Sequence, residues 1–314
     1  EDQLAQNRRE LPTRGMAVYE HTPHCFAPFK TADFAPELPT GSDADGACDR
    51  VGKALKAEPP AAVVRTELWR GCGDSAFLLR NLLSPQECDD IVSQSEAFGL
   101  ADCGYSERIR VTDRVAVMGE ELGKLLFQRA ASYLEEVLVP PDYKLPLGAP
   151  KDLRRGLWKP EAMNPCFRVC RYTSGGFFLP HYDGGFDSSE ELRSIKTFMV
   201  YLNDDFEGGA TNFYNGLQQH YCEAAPENAL CSVRPEKGSC CVFNHCLTHD
   251  GGRIFRGTKY ILRSEVMYRR TALPVPLKCE GEGQKRAEEE QRAPLLVRME
   301  RLMTRVLRSP RKKL

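Results

Sequence analysis

Between residues 166 and 268 the chain alternates short apolar runs with turns rich in Gly and Asp, and this texture limits the fold more than any other feature. The clearest runs are 166–172, 195–202, 211–214, 239–243 and 260–268. Several short strands with turn signals between them build a sandwich, a jelly roll or a barrel. Helical patterns come first. Residues 76–83 read as a short apolar strand. Ser84-Pro85-Gln86-Glu87 then supplies an N-cap, a proline at the first helical position and a glutamate at N3. Cys88, Ile91 and Val92 recur at helical spacing, and Gly99 fits the helix end. A second helix is predicted over 120–137, where Leu122, Leu125, Leu126, Ala130, Tyr133 and Leu134 form one stripe suited to packing on a sheet. Helices followed by a run of strands give a mainly-β, α+β domain.

The flanks differ in kind. Residues 1–64 carry scattered Pro, Gly, Ala and Asp without a sustained period and read as a flexible N-terminal segment. The ordered domain is expected over 65–276. From 277 a charged spacer leads to Pro294 and a helical pattern in which Leu295, Leu296, Met299, Leu302, Met303, Val306 and Leu307 share one face. Seven Lys or Arg against one Glu from Arg298 onward make this helix basic and amphipathic. Such a helix packs back on its own domain, lies on a membrane surface or docks in a partner groove. The formal net charge of −1 gives the whole molecule no strong electrostatic preference for nucleic acid or acidic membranes, and no nucleic-acid partner is expected. No run reaches the ~18 apolar residues needed to cross a bilayer, and no signal-peptide pattern is visible at the start.

Thirteen cysteines include no C-x-x-C pair. A chain this long can fold without disulfides, so mostly free thiols acting as small core residues are expected, an oxidised form with several bridges being the alternative. Cys240 and Cys241 are neighbours in an apolar run, which predicts one inward and one outward side chain.

Chemistry concentrates in 167–186, FRVCRYTSGGFFLPHYDGGF. A strand sends residues i and i+2 to one face, so His181 and Asp183 can point together into a cavity. They make two-thirds of a 2-His-1-carboxylate metal face, which leaves positions open for reactants. Histidines occur only at 21, 24, 181, 220, 245 and 249, so few can complete the face. His21 and His24 lie beside Cys25 without a second ligand cluster. His220 falls in a loop-like stretch and is expected to face solvent. His245, in FNHC, and His249, in THDGG, are both available.

Residues from about 76 to 268 resemble the iron- and 2-oxoglutarate-dependent dioxygenases, in the prolyl 4-hydroxylase-like branch. The resemblance lies in RYTSGGFFLPHYD, MVYLNDDFEGGATNFY, RPEKGSCCVF and HDGGRIFRGTKYILRSEVMY. The family pattern is H-x-D, a distant His followed by Gly, and a Lys ten residues on. It is met at His181, Asp183, His249, Gly251 and Lys259. The resemblance implies a double-stranded β-helix, or jelly-roll, core with flanking N-terminal helices. It implies Fe(II) held by His181, Asp183 and His249, 2-oxoglutarate as cosubstrate, O2 as oxidant and ascorbate as auxiliary reductant. Lys259 would take the far carboxylate of 2-oxoglutarate through a charge-assisted hydrogen bond, with Tyr172 and Thr211 as hydroxyl partners. Arg263, within KYILR, either lines the same pocket or makes an outward salt bridge.

The implied reaction hydroxylates a peptide or protein, at peptidyl proline in the manner of a procollagen-proline 4-dioxygenase, and releases succinate and CO2. The sequence departs from the branch at Phe178, where many prolyl hydroxylases carry tyrosine; lysyl side chains or a small molecule are the alternative substrates. The resemblance suggests the endoplasmic reticulum and the unpaired cysteines suggest the cytoplasm, so the compartment stays open. Two other readings use the same residues. One is a non-enzymatic metal-binding jelly-roll sensor or scaffold; the other is a Zn(II) hydrolase, in which Lys259 has no role.

Overall fold

In the computed structural model, residues 17–18, 55–56, 59–70, 75–102, 104–139 and 156–272 are described. The His21, His24 and Cys25 group, the 277–293 spacer and the basic helix expected from Pro294 lie outside them, as does most of 1–64. Thirteen strands carry the argument. In chain order they are β1 (Val64–Arg70), β2 (Ser75–Arg80), β3 (Arg110–Val111), β4 (Asp113–Met118), β5 (Gly156–Met163), β6 (Cys166–Tyr172) and β7 (Phe177–His181). Then follow β8 (Leu192–Tyr201), β9 (Thr211–Tyr214), β10 (Ala229–Val233), β11 (Cys240–Asn244), β12 (His249–Gly251) and β13 (Lys259–Ala272). Two helices, α1 (Pro85–Phe98) and α2 (Glu120–Ala130), precede most of them.

The strands form a mainly-β jelly roll of two sheets. In the large sheet β5, β13, β8, β11, β2 and β1 are successive neighbours, and β6 joins the first half of β13 to β4. The small sheet runs β10-β9-β12-β7-β3. Alternation along each strand of the large sheet sorts its side chains onto two faces. Phe167, Val169, Phe198, Val200, Val242, Leu262 and Val266 pack on the outer side into the core shared with Cys88 and Ile91 of α1 and Leu122, Leu126 and Ala130 of α2. Cys170, Tyr172, Met199, Tyr201, Cys241 and Phe243 face the small sheet, where Phe213, Val233 and Leu247 join them.

Helix α1 starts as its sequence requires. The Ser84 hydroxyl accepts from the Glu87 N–H at 3.1 Å, and the Glu87 carboxylate accepts from the Ser84 N–H at 2.7 Å. Glu87 also receives Arg129 of α2 at 2.8 Å, so the cap ties the two helices together. Arg129 is buried and donates a further bond to the Leu82 carbonyl at 2.8 Å.

Several expectations need correction. Helix α2 stops at Ala130 rather than Val137; a short 3-10 turn, Ala131–Tyr133, follows, and Val137–Val139 is a strand paired with β5. Glu135 explains the break, because Arg65 at 2.9 Å and Arg70 at 2.6 Å draw it toward β1. The apolar stripe continues past the helix end, so periodicity alone cannot mark the change. Neither β5 nor β10 is announced by the sequence pattern. Pro160 disguises β5, and it is tolerated opposite Tyr268, where the register of the pairing with β13 shifts. Cys240 and Cys241 do face opposite ways, but both are fully buried because both faces of the sheet are covered. The eight described cysteines are free thiols.

Candidate metal centre

Pairing between β7 and β12 sets His181 opposite His249. Asp183 lies two residues past the end of β7, and its N–H donates to the His245 carbonyl at 2.9 Å. One ligand atom from each of His181, Asp183 and His249 falls within 4.8 Å of the others. The Nε2 atoms of His181 and His249 are 3.9 and 3.7 Å from the Asp183 carboxylate oxygens. Each ring donates from Nδ1 to a carbonyl two residues earlier, His181 to Leu179 at 2.8 Å and His249 to Leu247 at 2.9 Å. Those bonds leave Nε2 as the lone-pair atom of both rings.

Electrostatics agree with that geometry. Burial pushes the pKa of both histidines down, so both are neutral at pH 7. For Asp183 burial favours the acid, but the Arg263 guanidinium beside it outweighs that and holds the carboxyl well below the usual range. Two neutral imidazoles and one carboxylate are a donor set that fits Fe(II) with positions left open.

The carboxylate is held from two sides. Arg263 Nη2 is 2.8 Å from Oδ1, and the Thr197 hydroxyl donates to Oδ2. His245 stands outside the set of three. Its Nδ1 is 3.0 Å from Thr197 Oγ1 and its Nε2 is 2.9 Å from Ser194 Oγ. Burial brings its pKa down to about 3, so the ring is neutral. Since Thr197 gives its proton to Asp183, His245 donates to Thr197 from Nδ1 and accepts from Ser194 at Nε2.

Lys259 opens β13 opposite Tyr172. It is buried, and Nζ donates to the Gly209 carbonyl at 2.6 Å. Gly209 has φ +66°, and a Cβ there would lie 2.4 Å from Ile254 Cδ1, so only glycine brings this carbonyl in. Burial lowers the Lys259 pKa to about 8. The Tyr172 hydroxyl is 3.3 Å from Arg110 Nη2, and Thr211 Oγ1 accepts from Tyr201 at 2.9 Å. Arg263 points inward, toward Asp183. One cavity touches all seven candidate residues.

His220 does not face solvent as expected. It is half-buried, stacks on Tyr182 with ring centroids 4.1 Å apart, and accepts the Tyr182 N–H at 3.1 Å. Tyr221 beside it takes a left-handed φ of +55°, held by its N–H bond to the Pro180 carbonyl at 2.8 Å. Its ring lies 6.4 Å from Phe178, which stacks on His181 at 3.5 Å. The sequence reading also missed Arg110, Arg114 and Arg168, which line the cavity. Arg168 shares the period-2 face of Tyr172 and was accessible to pattern reading. Arg114 becomes visible only once β4 is known to pair with β6.

Residues 167–264 match the family described as the 2OG-Fe(II) oxygenase superfamily. Over that segment the chain is similar to the 2OG-Fe(II) oxygenases. This match spans β6 through the first half of β13 and includes every candidate site residue. Among solved structures, the viral collagen prolyl hydroxylase of Paramecium Bursaria Chlorella virus-1 is 18% identical, covering 62% of this chain and 96% of its own at a TM-score of 0.38. A Pseudomonas putida prolyl-4-hydroxylase is 14% identical over 63% of this chain and 93% of its own, with a TM-score of 0.36. A prolyl hydroxylase from Trichoplax adhaerens, in complex with a hypoxia inducible factor oxygen degradation domain peptide fragment, is 12% identical over 62% and 83%, with a TM-score of 0.40. No curated protein sequence matches the chain.

Proposed function

We propose that this oxygenase hydroxylates peptidyl proline, using Fe(II) held by His181, Asp183 and His249 and 2-oxoglutarate anchored by Lys259. The observation that carries the reading is the meeting, in one cavity, of the three ligand side chains with a buried lysine on the facing strand. When bound, Fe(II) supplies the redox chemistry that couples oxidative decarboxylation of 2-oxoglutarate to oxygenation of the substrate, with succinate and CO2 released. Ascorbate belongs to the proposal as an auxiliary reductant.

The remaining work falls to the chain itself. Lys259 offers a buried cation to the far carboxylate, and Tyr172 and Thr211 offer hydroxyls beside it. Arg263 and Thr197 fix the carboxylate of Asp183, which would hold the metal together with the two Nε2 atoms. Phe178, Tyr105 and Tyr221 form an aromatic wall next to His181, with Tyr105 6.0 Å from Phe178. Such a wall suits the apolar C–H edges of a compact five-membered ring. The choice of proline rests on this wall and on the motif resemblance.

The test is succinate formation from 2-oxoglutarate with Fe(II), ascorbate and air, with and without a mixture of proline-rich peptides. Peptide-stimulated succinate, with a gain of one oxygen on proline by mass spectrometry, is the expected result. Slow succinate that peptides do not stimulate keeps the oxygenase and rejects the prolyl substrate. No succinate from iron-loaded protein favours the non-enzymatic metal-binding alternative.

A further inference from the structure

Three arginines lie on neighbouring strands of the inner face, Arg114 on β4, Arg168 on β6 and Arg263 on β13. Arg168 is opposite Arg263, and Arg114 is opposite Cys170, one same-face step from Arg168. Two of the three are matched inside the protein. Arg263 holds Asp183 at 2.8 Å and approaches Glu265 at 3.5 Å, while Arg168 holds Glu265 at 2.9 Å. The other Glu265 oxygen accepts from Asn164 at 2.7 Å, so its carboxylate is fully used. Asp250, the remaining acid of the cavity, is taken by Tyr214 at 2.7 Å and Asn212 at 2.8 Å.

Arg114 lines the same cavity and is half-buried, and its guanidinium makes no hydrogen bond or ion pair among the described residues. A half-buried guanidinium without an anion forgoes hydration and gains nothing in return. Its fork of donors matches a carboxylate. Lys259 does not share that role, because β4 and β13 are two strand spacings apart, roughly 10 Å.

We infer that Arg114 receives a carboxylate on the organic substrate, so that the enzyme selects a peptide with an acidic group close to the oxidised residue. The inference rests on the proposed peptidyl reading and names the second feature that its substrate carries. The carboxylate comes from an internal acidic side chain or from the peptide's own C-terminus.

Binding tests it without turnover. Fluorescently labelled proline peptides carrying Glu, Gln or Lys beside the proline, each with an acid or amide C-terminus, are titrated anaerobically into the full chain with Fe(II) and 2-oxoglutarate. The peptide bearing the carboxylate binds about tenfold tighter to the wild type, a 1.4 kcal/mol preference. That preference disappears in Arg114→Gln and reverses toward a Lys peptide in Arg114→Glu, while the Kd for 2-oxoglutarate moves less than about twofold. A preference for Glu places the carboxylate on a side chain; a preference for the free acid alone places it at the chain end. Equal binding of all peptides by the wild type overturns the inference. So does a preference that survives Arg114→Gln, or an equal loss of 2-oxoglutarate affinity in that variant. Should Arg114→Gln fail to fold, the wild-type comparison still decides, with Arg114→Lys expected to keep the preference. A carboxylate preference without oxygen on proline leaves this inference standing and removes the prolyl reading.

Discussion

The two faces of the large sheet are made by alternate residues of the same strands, yet they do opposite things. On β6, Phe167 and Val169 point into a dry core, while Arg168, Cys170 and Tyr172 border the cavity. On β13, Leu262 and Val266 face outward and Lys259, Ile261 and Arg263 face inward. The outer face stabilises by burying apolar area against two helices. The inner face buries cations and histidines, which costs free energy that the outer face must offset. A one-residue slip in register would exchange the two sets, so the packing of the outer face is what aims the inner one.

That comparison can be broken by substitutions on either side. His181→Ala or His249→Ala is expected to lower turnover by more than about 10³-fold, since each removes a proposed metal ligand. Urea unfolding should show little change, and a large loss of stability would mean that the inner face is structural. Phe167→Ala on the outer face should cost about 3–5 kcal/mol in the same unfolding assay, with iron affinity retained by the folded fraction. Lys259→Ala should raise the apparent KM for 2-oxoglutarate by roughly 10²-fold, because a buried charged partner is lost. An unchanged KM would remove Lys259 from the cosubstrate site.

The smaller effects sharpen the picture. Burial lowers the Lys259 pKa to about 8, and a bound carboxylate would raise it again. Below pH 8 the lysine is already charged and affinity for 2-oxoglutarate is flat. Above it, binding must take up a proton, so Kd should rise by up to about tenfold per pH unit. Titration by calorimetry checks this, and a Kd independent of pH from 7 to 9 would contradict it. His245→Ala should lower turnover about tenfold by releasing Thr197, and through it Asp183.

How much of this was legible depends on distance along the chain. The α1 start was readable because Ser84, Pro85 and Glu87 act within one turn. His181 and Asp183 were readable from period 2, and His249 with Lys259 from the family pattern. The α2 end was not, because its cause is Arg65 and Arg70, more than sixty residues away. The part played by His245 was equally hidden. Its contacts with Thr197 and Ser194 arise from strand pairing between β8 and β11, and no local pattern announces them. Arg114 needed β4 beside β6 before it could be seen in the cavity at all.

The most direct measurement of the central claim is anaerobic Fe(II) binding to purified wild type, His249→Ala and His245→Ala, each at the same excess of metal. Stoichiometric iron in the wild type and in His245→Ala, with loss in His249→Ala, is the predicted result. Retention by His249→Ala together with loss in His245→Ala would contradict the account, because the inner face would then present a different third ligand.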